Sequence, residues 1–302
     1  MLVKSTKTNL IGLKIRIKFG QKGSIFMAFD INQVVIDRVK RVSGRNRETG
    51  ELYFLTGQVA DPSLQCDAQE VIKTDAEDVA VARWMNGKSA KFSGSETFLN
   101  FDLMSHQLNG EDKAVADETH PINVPSIEEV KIGAEGLTEY ELKHTAVNFG
   151  TTDAPNYKIT ICTLRKDGSR DKKFTLGQAA SETVCTYTAG TKKLTFADGA
   201  LKEGDKLFVQ YDYSSTECVA VYDYGDKFPT DMEIVVEVMA HPLCSSSTAY
   251  AGFLVFPNAT LSSSVTYNFG KTESFPFEFS AQQDYCDENK QLFRMVFPEN
   301  AE

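Results

Sequence analysis

Short runs in which apolar and polar residues alternate recur through almost the whole chain, with turn residues between them. Residues 13–19, LKIRIKF, place Leu13, Ile15, Ile17 and Phe19 on one side and Lys14, Arg16 and Lys18 on the other. Residues 275–279, FPFEF, and 293–297, FRMVF, repeat the pattern with aromatic residues. A period of two lines up one face of a pleated strand, so the feature demands a mainly β protein whose strands each bury one side.

The strands fall into groups. LKIRIKF and SIFMAFD (24–30) are separated by Gly20 and Gly23 and read as a hairpin with a basic outer face. Residues 32–59, NQVVIDRVKRVSGRNRETGELYFLTGQV, read as a long hairpin with a polar, mostly basic tip at SGRNRETG. Arms so polar do not bury themselves, so this hairpin is expected to project, with Lys40, Arg41, Arg45 and Arg47 near its end. Residues 61–90 are more polar and carry only strand-like fragments. One helix is expected over about 93–109, where Ser93 and Glu96 have capping-box spacing and Asn109-Gly110 supplies a stop. Its apolar residues are spread over more than one stripe, which predicts a helix covered on several sides. EDKAVADETHPINVP (111–125) then reads as an acidic linker.

Between residues 127 and 215 the strands shorten and their spacing becomes regular: EEVKIG, EYELKH, YKITICTL, KKFTLG, TVCTYTA, KKLTFA and DKLFVQYDY. Asp167-Gly168 marks a hairpin turn. This pattern suggests an immunoglobulin-like sandwich, although the cysteine–tryptophan–cysteine signature is missing because the one tryptophan is Trp84. Strands resume after residue 230, so residues 1–126 and 216–302 are expected to form one discontinuous β domain interrupted by an inserted module at 127–215.

Composition narrows the function. The formal net charge is −10, which disfavours sequence-independent binding along a nucleic-acid backbone. The first residues lack a continuous apolar core, so a secretory signal is not expected and the chain is read as made and kept in the cytoplasm, or as leaving by a route that needs no signal peptide. No run is long enough to cross a bilayer as a helix. The six cysteines form no C-x-x-C pair and read as reduced residues. His241 and Cys244 have half of a zinc spacing, and a loop histidine beside a buried cysteine is the plainer reading. Serine-rich stretches at 244–248 and 260–266 lack a nucleophile elbow, and DYCDEN (284–289) lacks the order of a calcium loop. Asp75, Glu77 and Asp78, and Glu128 with Glu129, read as solvated surface. Asn258-Ala-Thr260 matches a glycosylation triplet without a secretory context. The expectation is therefore a non-enzyme with no catalytic residues, metal or cofactor, built to contact other chains through arms and sheet edges.

Three stretches carry a resemblance. AKFSGSETFLNFDLMSHQLNG (90–110) looks like the helix that packs on the tube sandwich of bacteriophage tail tube (major tail) proteins. KEGDKLFVQYDYSS leading to YGDKFPTDMEIVVEVMAH resembles the end of an inserted module returning to a tube strand, and FPFEFSAQQDYCDENKQLFRMVF resembles the closing strand pair. The resemblance implies a tail-tube-type β-sandwich or barrel with one packed helix and an inserted immunoglobulin-like sandwich. It further implies rings, commonly hexamers, stacked into a virion tube through which DNA passes without specific binding. Tail sheath, tape measure and baseplate proteins would be neighbours, and no membrane is involved. Within that reading Lys40, Arg41, Arg45 and Arg47 are candidates for inter-ring contact, and Lys14, Arg16 and Lys18 for an inter-subunit strand. Two alternatives stay open: a capsid decoration or baseplate protein whose module binds a receptor or carbohydrate, and a β-sandwich hydrolase acting on glycans.

Overall fold

The structure, a computed structural model, describes residues 34–134, 136–242, 249–271, 273–283 and 290–298. The hairpin expected over 13–30 lies outside the described residues.

The protein is mainly β, with one α-helix. The chain opens with β1 (Val34–Arg45), β2 (Leu52–Thr56), β3 (Val59–Thr74) and β4 (Ala80–Glu96), followed by helix α1 (Phe101–Leu108) and a short β5 (Ala114–Val115). The middle supplies β6 (Ile122–Lys131), β7 (Glu139–Glu141), β8 (Thr160–Leu164), β9 (Arg170–Leu176), β10 (Val184–Thr188), β11 (Lys193–Thr195) and β12 (Lys206–Ser215). The remainder is β13 (Val219–Ala220), β14 (Asp231–Pro242), β15 (Tyr250–Leu261), β16 (Phe275–Ala281) and β17 (Arg294–Val296).

Two large sheets result. The first runs β2-β1-β14-β15-β16-β4-β3, with β17 also on β15, and so draws on both ends of the described chain. The second runs β6-β12-β8-β9-β10-β11-β7 and is local in sequence. All seven middle segments read from the sequence carry strands of this second sheet, which begins at Ile122 rather than 127 because Ile122 pairs with Ser215. Each sheet has its own core. Alternate residues Met232, Ile234, Val236 and Val238 of β14 join Phe92, Phe256, Phe277 and Phe279 in the first. Ile161, Phe174, Leu194, Phe196, Leu207, Val209 and Tyr211 fill the second. The two connections between the sheets are stitched together, β5 pairing with β13.

Two expectations need correction. The helix does not span 93–109. Ser93–Glu96 belongs to β4, which pairs with β16 from Ala90↔Ala281 to Glu96↔Phe275. Ala90 and Phe92 alternate inward, and Phe92 stacks on Phe279 with ring centroids 5.2 Å apart. Gly94 fits between Val59 and the Phe277 ring, where a Cβ would come within 2.7 Å of Val59. Close packing therefore overrides the local capping signal, and the helix starts at Asn100, whose side-chain oxygen accepts from the Asp102 and Leu103 amides. The second correction concerns residues 32–59. β1 and β2 do form a hairpin, but they pair only from Val42↔Thr56 to Arg45↔Leu52, while β1 pairs along its whole length with β14. Val39 and Val42 are buried in the first core, so this hairpin is part of the sheet rather than a projection.

Candidate functional site

The projecting element is the stretch the sequence left least defined. β3 and β4 pair with each other as far as Thr74↔Ala80, and the last buried residue on the way out is Ala90, opposite Cys66. Beyond that level every residue of both strands is exposed except the half-buried Val71. Eight cross-strand pairs at about 3.3 Å each make an arm roughly 25 Å long outside the sheet. Arg83 and Glu70 pair across it at 2.8 Å.

The turn is rigidly built. Asp75 Oδ1 accepts from the Glu77 and Val79 amides, each at 2.9 Å, and the Asp75 amide donates to the Val79 carbonyl at 3.0 Å. Asp78 takes φ +60°, which an aspartate tolerates better than most residues.

What sets the arm apart is its apolar content. Cross-strand partners share a face, so Val71 and Trp84 lie on one side of the ribbon, while Ile72 lies with Arg83 on the other. Met85 follows Trp84 and so shares the Ile72 side. Trp84 is 48% exposed, Met85 65% and Val81 66%. A two-stranded ribbon in water is marginal by itself, and large apolar side chains on both its faces call for cover on both sides.

The basic residues expected to project are placed elsewhere. Lys40 Nζ lies 2.8 Å from Glu237, and the Arg41 guanidinium contacts the same carboxylate. A register shift between Val39 and Arg41 lets both neighbours reach it. Arg45 pairs with Glu233 at 2.5 Å. Arg47 sits in the turn between β1 and β2, beside Asn46, whose side chain accepts from the Glu48 and Thr49 amides. The structure thus gathers Lys40, Arg41 and Arg45 along the β14 side of the first sheet rather than at a free tip. Lys14, Arg16 and Lys18 lie outside the described residues.

The remaining candidates resolve into structural roles where they are described. Glu128 is buried and accepts from Tyr140, Tyr211 and the Lys143 amide, while Asp75, Glu77 and Asp78 are exposed at the arm's turn. His241 lies 4.0 Å from Asp37. Cys244, the serines at 245–247 and DYCDEN lie outside the described residues. Asn258 is buried in β15, where a glycan has no room. Among the described residues no group of three His, Cys, Asp or Glu side chains is placed to hold a metal ion. No helix there is long and apolar enough to cross a membrane.

Sequence reading missed the arm because its two faces are both apolar in places, which erases the period-two signal. The available signal was Val71-Ile72 and Val79–Met85 flanking a TDAED turn. No protein-family model matches the chain, and no curated protein matches its sequence.

Proposed function

We propose that this chain is a virion structural protein, a bacteriophage tail tube (major tail) protein, which self-assembles into stacked rings, commonly hexamers, that form the conduit for DNA ejection. The observation that carries the reading is the β3–β4 arm: a long ribbon, apolar on both faces, with nothing among the described residues to cover it. Such a surface is suited to permanent contact with other copies, because a monomer exposing it is prone to association. The first sheet, assembled from both ends of the described chain, supplies the tube domain. The second, local in sequence and with a separate core, supplies the inserted immunoglobulin-like module. Sheath, tape measure and baseplate proteins would be its neighbours in the virion, and DNA would pass without specific binding.

The alternative, a decoration or baseplate protein with a receptor-binding module, calls for exposed rings on the module's loops. Among the module's described aromatic residues Phe149 alone is exposed, while Phe174, Phe196 and Tyr211 fill its core. The test is negative-stain electron microscopy of the purified protein over a range of concentrations. Rings or hollow tubes are expected. Monodisperse small particles at every concentration would overturn the reading.

A further inference from the structure

β1 pairs with β2 only from Val42 onward, so among the described residues its β2-side edge is unpaired over residues 34–41. There β2 has given way to Gly57 and Gln58, and the chain turns off into the base of the arm. The result is an open cleft of about 440 Å³ between Arg38 and Lys40 on one side and Gln58, Val59 and Ala60 on the other. Val39, Val59 and Ala60 add apolar lining, and Val35 and Ile36, both half exposed, precede the cleft along β1. The Arg38 side chain is 69% exposed, and the one ion pair it makes among the described residues is a long one, 3.8 Å, to its neighbour Asp37.

The arm's tip has the opposite character. Glu77 and Asp78 are exposed and make no ion pair among the described residues. They stand on the turn fixed by Asp75, directly before the exposed Val79 and Val81. One feature is basic, apolar and concave; the other is acidic, apolar and convex. The tip cannot reach the cleft of its own chain, because from Ser63 to Thr74 the paired ribbon carries it about 35 Å away.

We propose that the arm tip of one copy docks in the cleft between β1 and the arm base of the next copy, with Glu77 and Asp78 facing Arg38. The inference rests on the self-assembly reading above and names the contact that carries it. A tip-to-base contact is heterologous, so repetition closes a ring or extends a filament.

Charge reversal tests it. Two variants are made in the full chain, Glu77→Lys and Arg38→Glu, and sedimentation velocity and electron microscopy follow assembly against concentration. Both positions are exposed and neither has a positive φ, so circular dichroism should match wild type. Each variant alone should need about tenfold more protein to assemble, since juxtaposed like charges oppose docking. A one-to-one mixture should assemble near the wild-type concentration, because the reversed tip meets the reversed cleft and the native tip meets the native cleft. If wild type assembles and the variants assemble equally well, or the mixture does not recover, this contact is overturned while self-assembly stands. If wild type never assembles, the self-assembly reading falls and the contact with it.

Discussion

The Tyr211 hydroxyl donates to the buried carboxylate of Glu128 at 2.6 Å, joining two residues 83 apart in sequence. Tyr140 donates to the other carboxylate oxygen at 2.7 Å, and the Lys143 amide adds a third bond at 3.1 Å. Tyr211 in turn accepts from the His144 amide at 3.0 Å. One carboxylate thus ties β6, β7, β12 and the 142–146 loop together at the wall of the second core. Burial raises a carboxyl, but these hydrogen bonds outweigh it and hold Glu128 below its ordinary value. A depressed folded-state pKa contributes stability that is present above the ordinary carboxylate pKa and is lost as pH falls through the lowered one. Glu128→Gln should therefore cost the second module about 2 kcal/mol at neutral pH. Urea unfolding repeated from pH 7 to pH 3 should show the deficit narrowing at the acid end. An undiminished deficit at pH 3 would assign the loss to packing rather than to the charge.

Gly44 faces the Phe54 ring and Met232, and a Cβ there would meet the Phe54 ring carbons and come within 2.8 Å of the Met232 sulfur. Phe54 is 2% exposed and Met232 fully buried, so neither can swing away. Gly44→Val should destabilise the first sheet by roughly 2 kcal/mol or more through overpacking. Hydrogen exchange should show faster exchange in β1, β2 and β14 with β8 and β12 unchanged. Uniform loosening of both sheets would mean that the two cores unfold as one unit.

Asn100 caps α1 and also donates from Nδ2 to the Leu55 carbonyl at 3.0 Å, fixing the helix to β2. Asn100→Ala removes both links and should cost about 1–2 kcal/mol. Asn100→Asp keeps an acceptor at the helix N-terminus and loses the amide's bonds to the Leu55 carbonyl and the Glu96 carboxylate. Chemical denaturation should rank wild type, aspartate, then alanine in falling stability; equal losses would show that the bonds donated by the amide dominate.

The second sheet was legible because its strands bury one face each against one local core. Residues such as Leu207, Val209 and Tyr211 of β12 keep strict alternation, and turns such as Asp167-Gly168 separate the strands. The strand pattern at 275–281 was legible for the same reason. Long-range pairing was not. Ser93 and Glu96 have perfect capping spacing, and only β16, some 180 residues later, shows why they lie in a strand. The same holds for Arg41 and Arg45, which read as a projecting tip until Glu237 and Glu233 arrive from β14. The arm was illegible for a third reason. Alternation reports one wet face and one dry face, and a ribbon with apolar side chains on both, such as Trp84 and Met85, has neither.

Trp84 is the chain's one tryptophan and lies half exposed on that ribbon, so it reports on the arm without labelling. In free subunits its indole faces water. If copies of the chain cover the arm, its emission should shift to shorter wavelength with rising protein concentration, in step with sedimentation. Trp84→Lys should leave the thermal stability of both sheets unchanged, because no core contact is lost. It should weaken assembly by about 2 kcal/mol or more, roughly thirtyfold, as expected for a buried aromatic anchor. Met85→Lys probes the opposite face of the same ribbon. Loss of assembly in both variants means that the arm is gripped from two sides. Loss in the Trp84 variant alone means that it lies on a single surface with Met85 left to solvent. Assembly that proceeds with unshifted emission would exclude the arm from the interface.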